Sequence, residues 1–262
     1  MATAEINGIP IRYEDSGGDG PAVIFSHGFM MDHTMFDAQA ARFGEEYRCI
    51  RWDERGFGDT PAPDHFSYWD SADDAAGLLD HLGVDQAVWV GMSQGGFLSL
   101  RGALAHPDRV KAIVLIDSDA AVDPPEVIEG YHGMLAAATG DDDEAFEGVM
   151  QGVAGMILGT EELSAEWIPK WRERRGTSPL NITGQTLLSR DDVSDRLGEI
   201  SCPALVIHGA DDVAIPLDHG EAVAAALPNC RGIVKVEGAA HAPNMSHPEI
   251  VNDALADFLS SL

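Results

Sequence analysis

Lysine and cysteine are scarce in this chain, and no long apolar run occurs in it. Three lysines (Lys111, Lys170 and Lys235) stand in 262 residues. All basic side chains number 16 against 44 acidic ones, a formal net charge of −28. That balance repels phosphates and anionic headgroups, which excludes nucleic acid and membrane surfaces as partners. An acid-rich, lysine-poor surface also suits high salt, and ordinary solvation accounts for it equally well. The three cysteines, Cys49, Cys202 and Cys230, lie far apart without a Cys-x-x-Cys spacing. Such a set argues against a disulfide framework and against a zinc site, so free thiols and no metal are expected. No apolar stretch approaches the ~20 residues that cross a bilayer. The first residues, Met1–Asn7, lack the charged segment and apolar core of a secretory leader. The expectation is a cytoplasmic globular protein.

What is present is a regular alternation. The length suffices for one large core, or one core with an inserted subdomain. Asn7-Gly8 predicts a hairpin between two short alternating runs. Buried-type strands follow at Ala22–Ser26, Tyr47–Trp52, Ala87–Val90, Val110–Ile116, Cys202–Gly209 and Gly232–Val236, separated by helical stretches near 33–43, 67–82 and 217–227. A last amphipathic helix runs from Pro248 to about Leu259. Strands alternating with helices specify a parallel α/β sheet, whose ligand chemistry sits at the carboxyl ends of its strands. From about Ala121 to Glu199 the rhythm changes to short helical patterns, Pro125–Ala138, Asp142–Leu158, Ser164–Arg174 and Ile182–Arg190. This stretch reads as a helical cap (121–199) inserted in a core made of 1–120 and 200–262. Its Tyr131, Met134, Trp167 and Trp171, together with Met30 of the core, suit a substrate pocket. The same side chains suit the packing core of the cap.

Chemistry concentrates in Gly91-Met92-Ser93-Gln94-Gly95-Gly96, between a strand and a helix. A strand that turns directly into a helix strains the residue at the corner and requires small neighbours two positions either side. Ser93 is thereby lifted above a helix N-terminus that favours negative charge. A nucleophilic serine needs an imidazole to take its proton, and a carboxylate to orient that imidazole. His241 stands in a glycine-bearing loop after the last strand. His27-Gly28-Phe29 follows the first buried strand, and there the Phe29 N–H is suited to an oxyanion. His27 itself reads as a brace for the loop. In Asp53-Glu54-Arg55-Gly56-Phe57-Gly58, an internal salt bridge holding the loop is the expected role of the charges.

Taken together, His27-Gly28-Phe29, Asp53–Gly58, Gly91–Gly96, Gly209-Ala210-Asp211-Asp212 and Gly238-Ala239-Ala240-His241 resemble the α/β-hydrolase superfamily over essentially the whole chain. The nearest branch comprises esterases, lactonases and cofactor-free haloperoxidases. The resemblance implies a mostly parallel eight-stranded sheet flanked by helices, with an inserted helical cap. It implies no metal and no cofactor. It also implies the order Ser…Asp…His, with Ser93 as nucleophile, His241 as base and Asp212 as acid. Asp211, Asp117 and Asp119 stay open as alternative acids. The oxyanion hole maps to the backbone N–H groups of Phe29 and Gln94. Gln94 stands where many such chains carry methionine or leucine, and its side chain either shapes the substrate pocket or turns away from it. The implied substrate is a small ester or lactone. Carbon–carbon bond hydrolysis, perhydrolysis and a slow-turnover ligand receptor are the alternatives, and homo-oligomerisation is left open.

Overall fold

The computed structural model describes residues 1–262. Eight strands, β1 (Ala2–Ile6), β2 (Ile9–Asp15), β3 (Ala22–Ser26), β4 (Arg48–Trp52), β5 (Ala87–Met92), β6 (Val110–Ile116), β7 (Ala204–Gly209) and β8 (Cys230–Val236), form one sheet. Their order is β1-β2-β4-β3-β5-β6-β7-β8. The β1–β2 and β2–β4 pairs are antiparallel and the remaining pairs are parallel. The hairpin forms at Asn7-Gly8, where both residues take positive φ (50° and 78°). A two-residue turn of that hand matches the twist of the strands it joins.

Ten α-helices complete the chain: α1 (Asp37–Phe43), α2 (Tyr68–His81), α3 (Gln94–Ala105), α4 (Pro125–Thr139), α5 (Asp143–Ile157), α6 (Glu161–Glu173), α7 (Leu180–Leu188), α8 (Leu217–Ala226), α9 (Pro243–Ser246) and α10 (Pro248–Ser260). The stretch expected as one helix over 33–43 is a 3₁₀ turn, His33–Phe36, followed by α1. Asp32 caps that turn by accepting from the Thr34 N–H. The third of the helices expected within 121–199 begins at Glu161, three residues ahead of expectation, because the Thr160 side chain caps it by accepting from the Leu163 N–H. The short α9 directly after His241 and a 3₁₀ turn at Ser194–Glu199 carry no periodic signal in the sequence.

Strand residues divide between the two faces of the sheet, as the two-residue period of a strand requires. Val23, Phe25, Val88, Val90, Val114 and Ile207 pack on one side with Phe36, Phe43, Leu255 and side chains of α5 and α6. Ile24, Trp52, Trp89, Ile113 and Val206 pack on the other with residues of α2, α3 and α8. Both faces are therefore covered, and the strands read as continuous apolar runs for that reason. Between β6 and β7 the chain makes four helices and no strand. Those helices pack on one another, α4 against α5 and α7, and α5 against α6.

Candidate active site

β5 ends in a corner that its flanking glycines permit. Ser93 has φ 52° and ψ −116°, a conformation that an L-residue adopts only when its surroundings enforce it. A Cβ placed on Gly91 would lie 2.0 Å from the Gly95 oxygen, and one on Gly95 would lie 2.0 Å from the Ser26 oxygen. Strand, corner and helix thus touch backbone to backbone. The Ser93 N–H is tied to the Ile116 oxygen of β6 at 2.8 Å, and the Ser93 oxygen accepts from the Gly96 N–H at 2.8 Å. Gln94 is the first residue of α3, where a backbone N–H has no intrahelical acceptor.

The loop after β3 faces this corner. The Met31 N–H bonds the Gly28 oxygen at 3.1 Å, and Met30 sits at φ 64°, which makes a tight turn. The turn leaves the Phe29 N–H without an acceptor in the protein. His27 braces it from beneath. Its Nε2 accepts the Glu54 N–H at 3.1 Å, so Nδ1 carries the proton and donates to the Gly28 oxygen at 2.8 Å. Burial holds the His27 imidazole below its ordinary range.

Asp212 and His241 come from the loops after β7 and β8. His241 Nδ1 donates to Asp212 Oδ2 at 2.7 Å, with both side chains almost completely buried. Asp212 Oδ1 accepts from the N–H groups of Ala214 (2.8 Å) and Ile215 (3.1 Å). Burial alone would raise its carboxyl, but the His208 imidazole 3.5 Å away and the hydrogen bond from His241 hold it well below the usual carboxylate range. With its Nδ1 proton fixed by Asp212, His241 presents Nε2 to the chamber that it shares with Ser93. Of the other acids, Asp211 is exposed and Asp119 binds His219 at 2.6 Å.

Asp117 is different. It directly follows β6 with φ 44°, is fully buried, and accepts the Gly209 N–H at 2.8 Å. One of its carboxyl oxygens lies within 4.8 Å of a carboxylate oxygen of Asp212 and a ring nitrogen of His241. Burial and the adjacent Asp212 charge push its carboxyl far up, so Asp117 keeps its proton while Asp212 is ionised. No spacing rule in the sequence singled it out for this pairing. Its backbone strain and its position at a strand end are the signals that find it in the structure.

The chamber holding Ser93 and His241 has a volume of about 60 Å³, and its wall includes Phe29 and two of the residues named for the pocket, Tyr131 and Met134. Trp167, expected there too, is fully buried and does not line it; Lys170 caps its ring at 4.0 Å. Met30 and Trp171 border a second, larger cavity of about 630 Å³ between α4, α5, α6 and the Phe57 loop. Trp171 Nε1 donates to the Met30 backbone oxygen at 2.8 Å, which holds the indole at that wall. Arg174 adds a tie to Asp32 at 2.8 Å. The Gln94 side chain also turns away, donating to Glu54 Oε2 at 3.0 Å and accepting from Tyr68 Oη at 3.3 Å. Burial pushes the Glu54 carboxyl well up. In the 53–58 loop the charges do not pair with each other. Asp53 binds His33 at 2.7 Å, and Arg55 reaches Asp74 on α2 at 2.9 Å. Two charged residues of the chamber wall, Asp123 and Arg190, were not foreseen, because only folding brings them together.

Residues 21–154 match the family model described as the alpha/beta hydrolase fold. The chain is 30% identical to a bifunctional esterase/perhydrolase of Acinetobacter calcoaceticus, over 97% of its own length and 98% of that protein. It is 31% identical to a non-heme chloroperoxidase of Streptomyces lividans, with 97% and 98% covered. Among solved structures, a thermophilic esterase from Thermogutta terrifontis superposes with a TM-score of 0.85 at 30% identity, covering 99% of this chain and 97% of that one. No helix is long and apolar enough to cross a membrane. With its eight-stranded, mostly parallel sheet and the strained serine corner after β5, the chain belongs to the α/β-hydrolase fold family.

Proposed function

We propose that this chain is a serine hydrolase of small carboxylic esters or lactones, with Ser93, His241 and Asp212 as its catalytic triad and residues 121–199 as the cap over it. The observation that carries the reading is the short Asp212–His241 hydrogen bond beside the chamber into which Ser93 opens. His241 Nε2 takes the Ser93 proton as Oγ attacks the ester carbonyl. Asp212 keeps the imidazole in the required tautomer and balances its cation. The N–H groups of Phe29 and Gln94 receive the oxyanion, a contribution of roughly 3 kcal/mol each. His241 then protonates the leaving alkoxide, and water repeats the cycle on the acyl-enzyme. The largely apolar wall of the chamber beside Ser93 suits an acyl group.

Burst kinetics with p-nitrophenyl acetate test the reading. Wild type should release a stoichiometric burst or turn over steadily, and Ser93→Ala should do neither; equal rates in the two would overturn it. The esterase/perhydrolase relative supports a second activity at the same serine, in which hydrogen peroxide replaces water in deacylation. Peracid formation from acetate esters and peroxide, lost in Ser93→Ala, is its expected signature.

A further inference from the structure

Ser93 and His241 account for only part of the polarity in the chamber wall. Arg190, Asp123 and the phenol of Tyr131 also line it, and the nine remaining lining residues are alkyl or aromatic. Arg190 is held rigidly. Its side chain is 5% exposed, its Nη2 donates to Asp123 Oδ2 at 2.9 Å, its Nη1 to the Leu187 oxygen at 3.0 Å and its Nε to the Ala121 oxygen at 3.3 Å. The guanidinium lies 4.7 Å from the centre of the Phe97 ring. A guanidinium carries five N–H bonds, so two remain unused. The Tyr131 hydroxyl has no hydrogen-bond partner in the protein, although burial and the Asp123 charge push its phenol above the ordinary range. A purely structural role for Arg190, joining 121–123 to 187, explains three of its donors. It explains neither the two left over nor the free phenol in the wall of the same chamber.

We infer that Tyr131 and Arg190 form a recognition point for an uncharged carbonyl oxygen on the acyl group, so that the preferred substrates are short oxo-acyl esters or lactones. The inference rests on the hydrolase reading and names its substrate class. Donors inside an apolar wall favour a guest that brings an acceptor, and they reject the isosteric guest that leaves them unpaired. The guest oxygen should be neutral. Asp123 already balances the arginine, so a carboxylate would gain little attraction and would face a like charge.

The test compares p-nitrophenyl 4-oxopentanoate with p-nitrophenyl pentanoate, which differ in one oxygen, and adds the p-nitrophenyl monoester of glutarate. Wild type should favour the oxo ester by about tenfold or more in kcat/KM. The preference should lie mainly in KM, because the contact is made in ground and transition states alike. Tyr131→Phe and Arg190→Met should each bring the ratio toward one, and a ratio does not depend on how much of a variant is folded. A wild-type ratio near one, a ratio unchanged in both variants, or preference for the glutarate monoester would overturn the inference. Calorimetry of methyl 4-oxopentanoate and methyl pentanoate on Ser93→Ala separates it from the hydrolase reading. If no ester is turned over but the oxo ester binds more tightly, the recognition point stands and the hydrolase reading falls. Equal binding removes the recognition point.

Discussion

Around Ser93, a Cβ on Gly91 or Gly95 would lie 2.0 Å from a backbone oxygen; on α4 and α5, a Cβ on Gly130, Gly133, Gly148, Gly152 or Gly155 would meet no atom within 4 Å. One set of glycines exists because two pieces of backbone occupy the same corner. The other set faces solvent and lowers helix stability, by up to about 1 kcal/mol per residue relative to alanine. The sheet side of the chamber is thus sterically determined, while the helices above it are intrinsically weak. A few polar ties position them: Trp171 to the Met30 oxygen, Arg174 to Asp32, Arg190 to Asp123, and the Thr186 hydroxyl to the Phe66 oxygen at 2.7 Å. The two halves should therefore respond in opposite ways to change.

The largest effect belongs to the sheet side. Asp212→Asn should lower kcat on p-nitrophenyl acetate by roughly 10⁴-fold, since an amide no longer selects the Nδ1–H tautomer of His241. A loss below about tenfold would assign the acid elsewhere. Next comes Gly95→Ala, which should cost more than about 3 kcal/mol through its clash with the Ser26 oxygen. Chemical denaturation measures this, and a native-like midpoint would mean that the corner relaxes.

Asp117 offers a smaller and pH-dependent effect. Its folded pKa lies above the unfolded one, so the stability it contributes is complete below the ordinary carboxylate range. That contribution is lost as pH rises, because the unfolded chain ionises while the buried group does not. Asp117→Asn removes the loss. The variant should unfold at a higher temperature than the parent at pH 8, with the difference shrinking toward pH 4; a pH-independent difference would contradict the assignment. Smallest is Gly152→Ala on α5, which should raise Tm by about 2 °C, the sign opposite to Gly95→Ala. A destabilised Gly152→Ala would end the contrast between the two regions.

The same division governs what could be read before the structure. The placement of Ser93, His241 and the Phe29 turn follows from glycines and strand ends, which are local marks. Asp212 over Asp211 follows from the spacing of the resemblance, and the exposure of Asp211 agrees with it. Side-chain orientation depended on partners far away in the chain. Gln94 turns from the chamber because Glu54 and Tyr68 hold it; Trp171 faces another cavity because the Met30 oxygen draws its indole. Arg190 meets Asp123 across 67 residues, a pairing that no periodicity encodes.

The Arg190 bridge has a consequence for how such a chain can change. One guanidinium fastens the segment at 121–123, where the insert leaves the sheet, to 187–190, where it returns, and the Val193 N–H bonds the Ala120 oxygen at 3.0 Å just below. The two ends of the insert are stapled at a single point beneath the four helices. Replacing 124–186 as a block would leave both strand connections, the staple and the serine corner in place, and would remove the ties made by Trp171, Arg174 and Thr186. On the proposed function, the bridge keeps the two ends of the substrate-binding stretch together whatever the helices between them become.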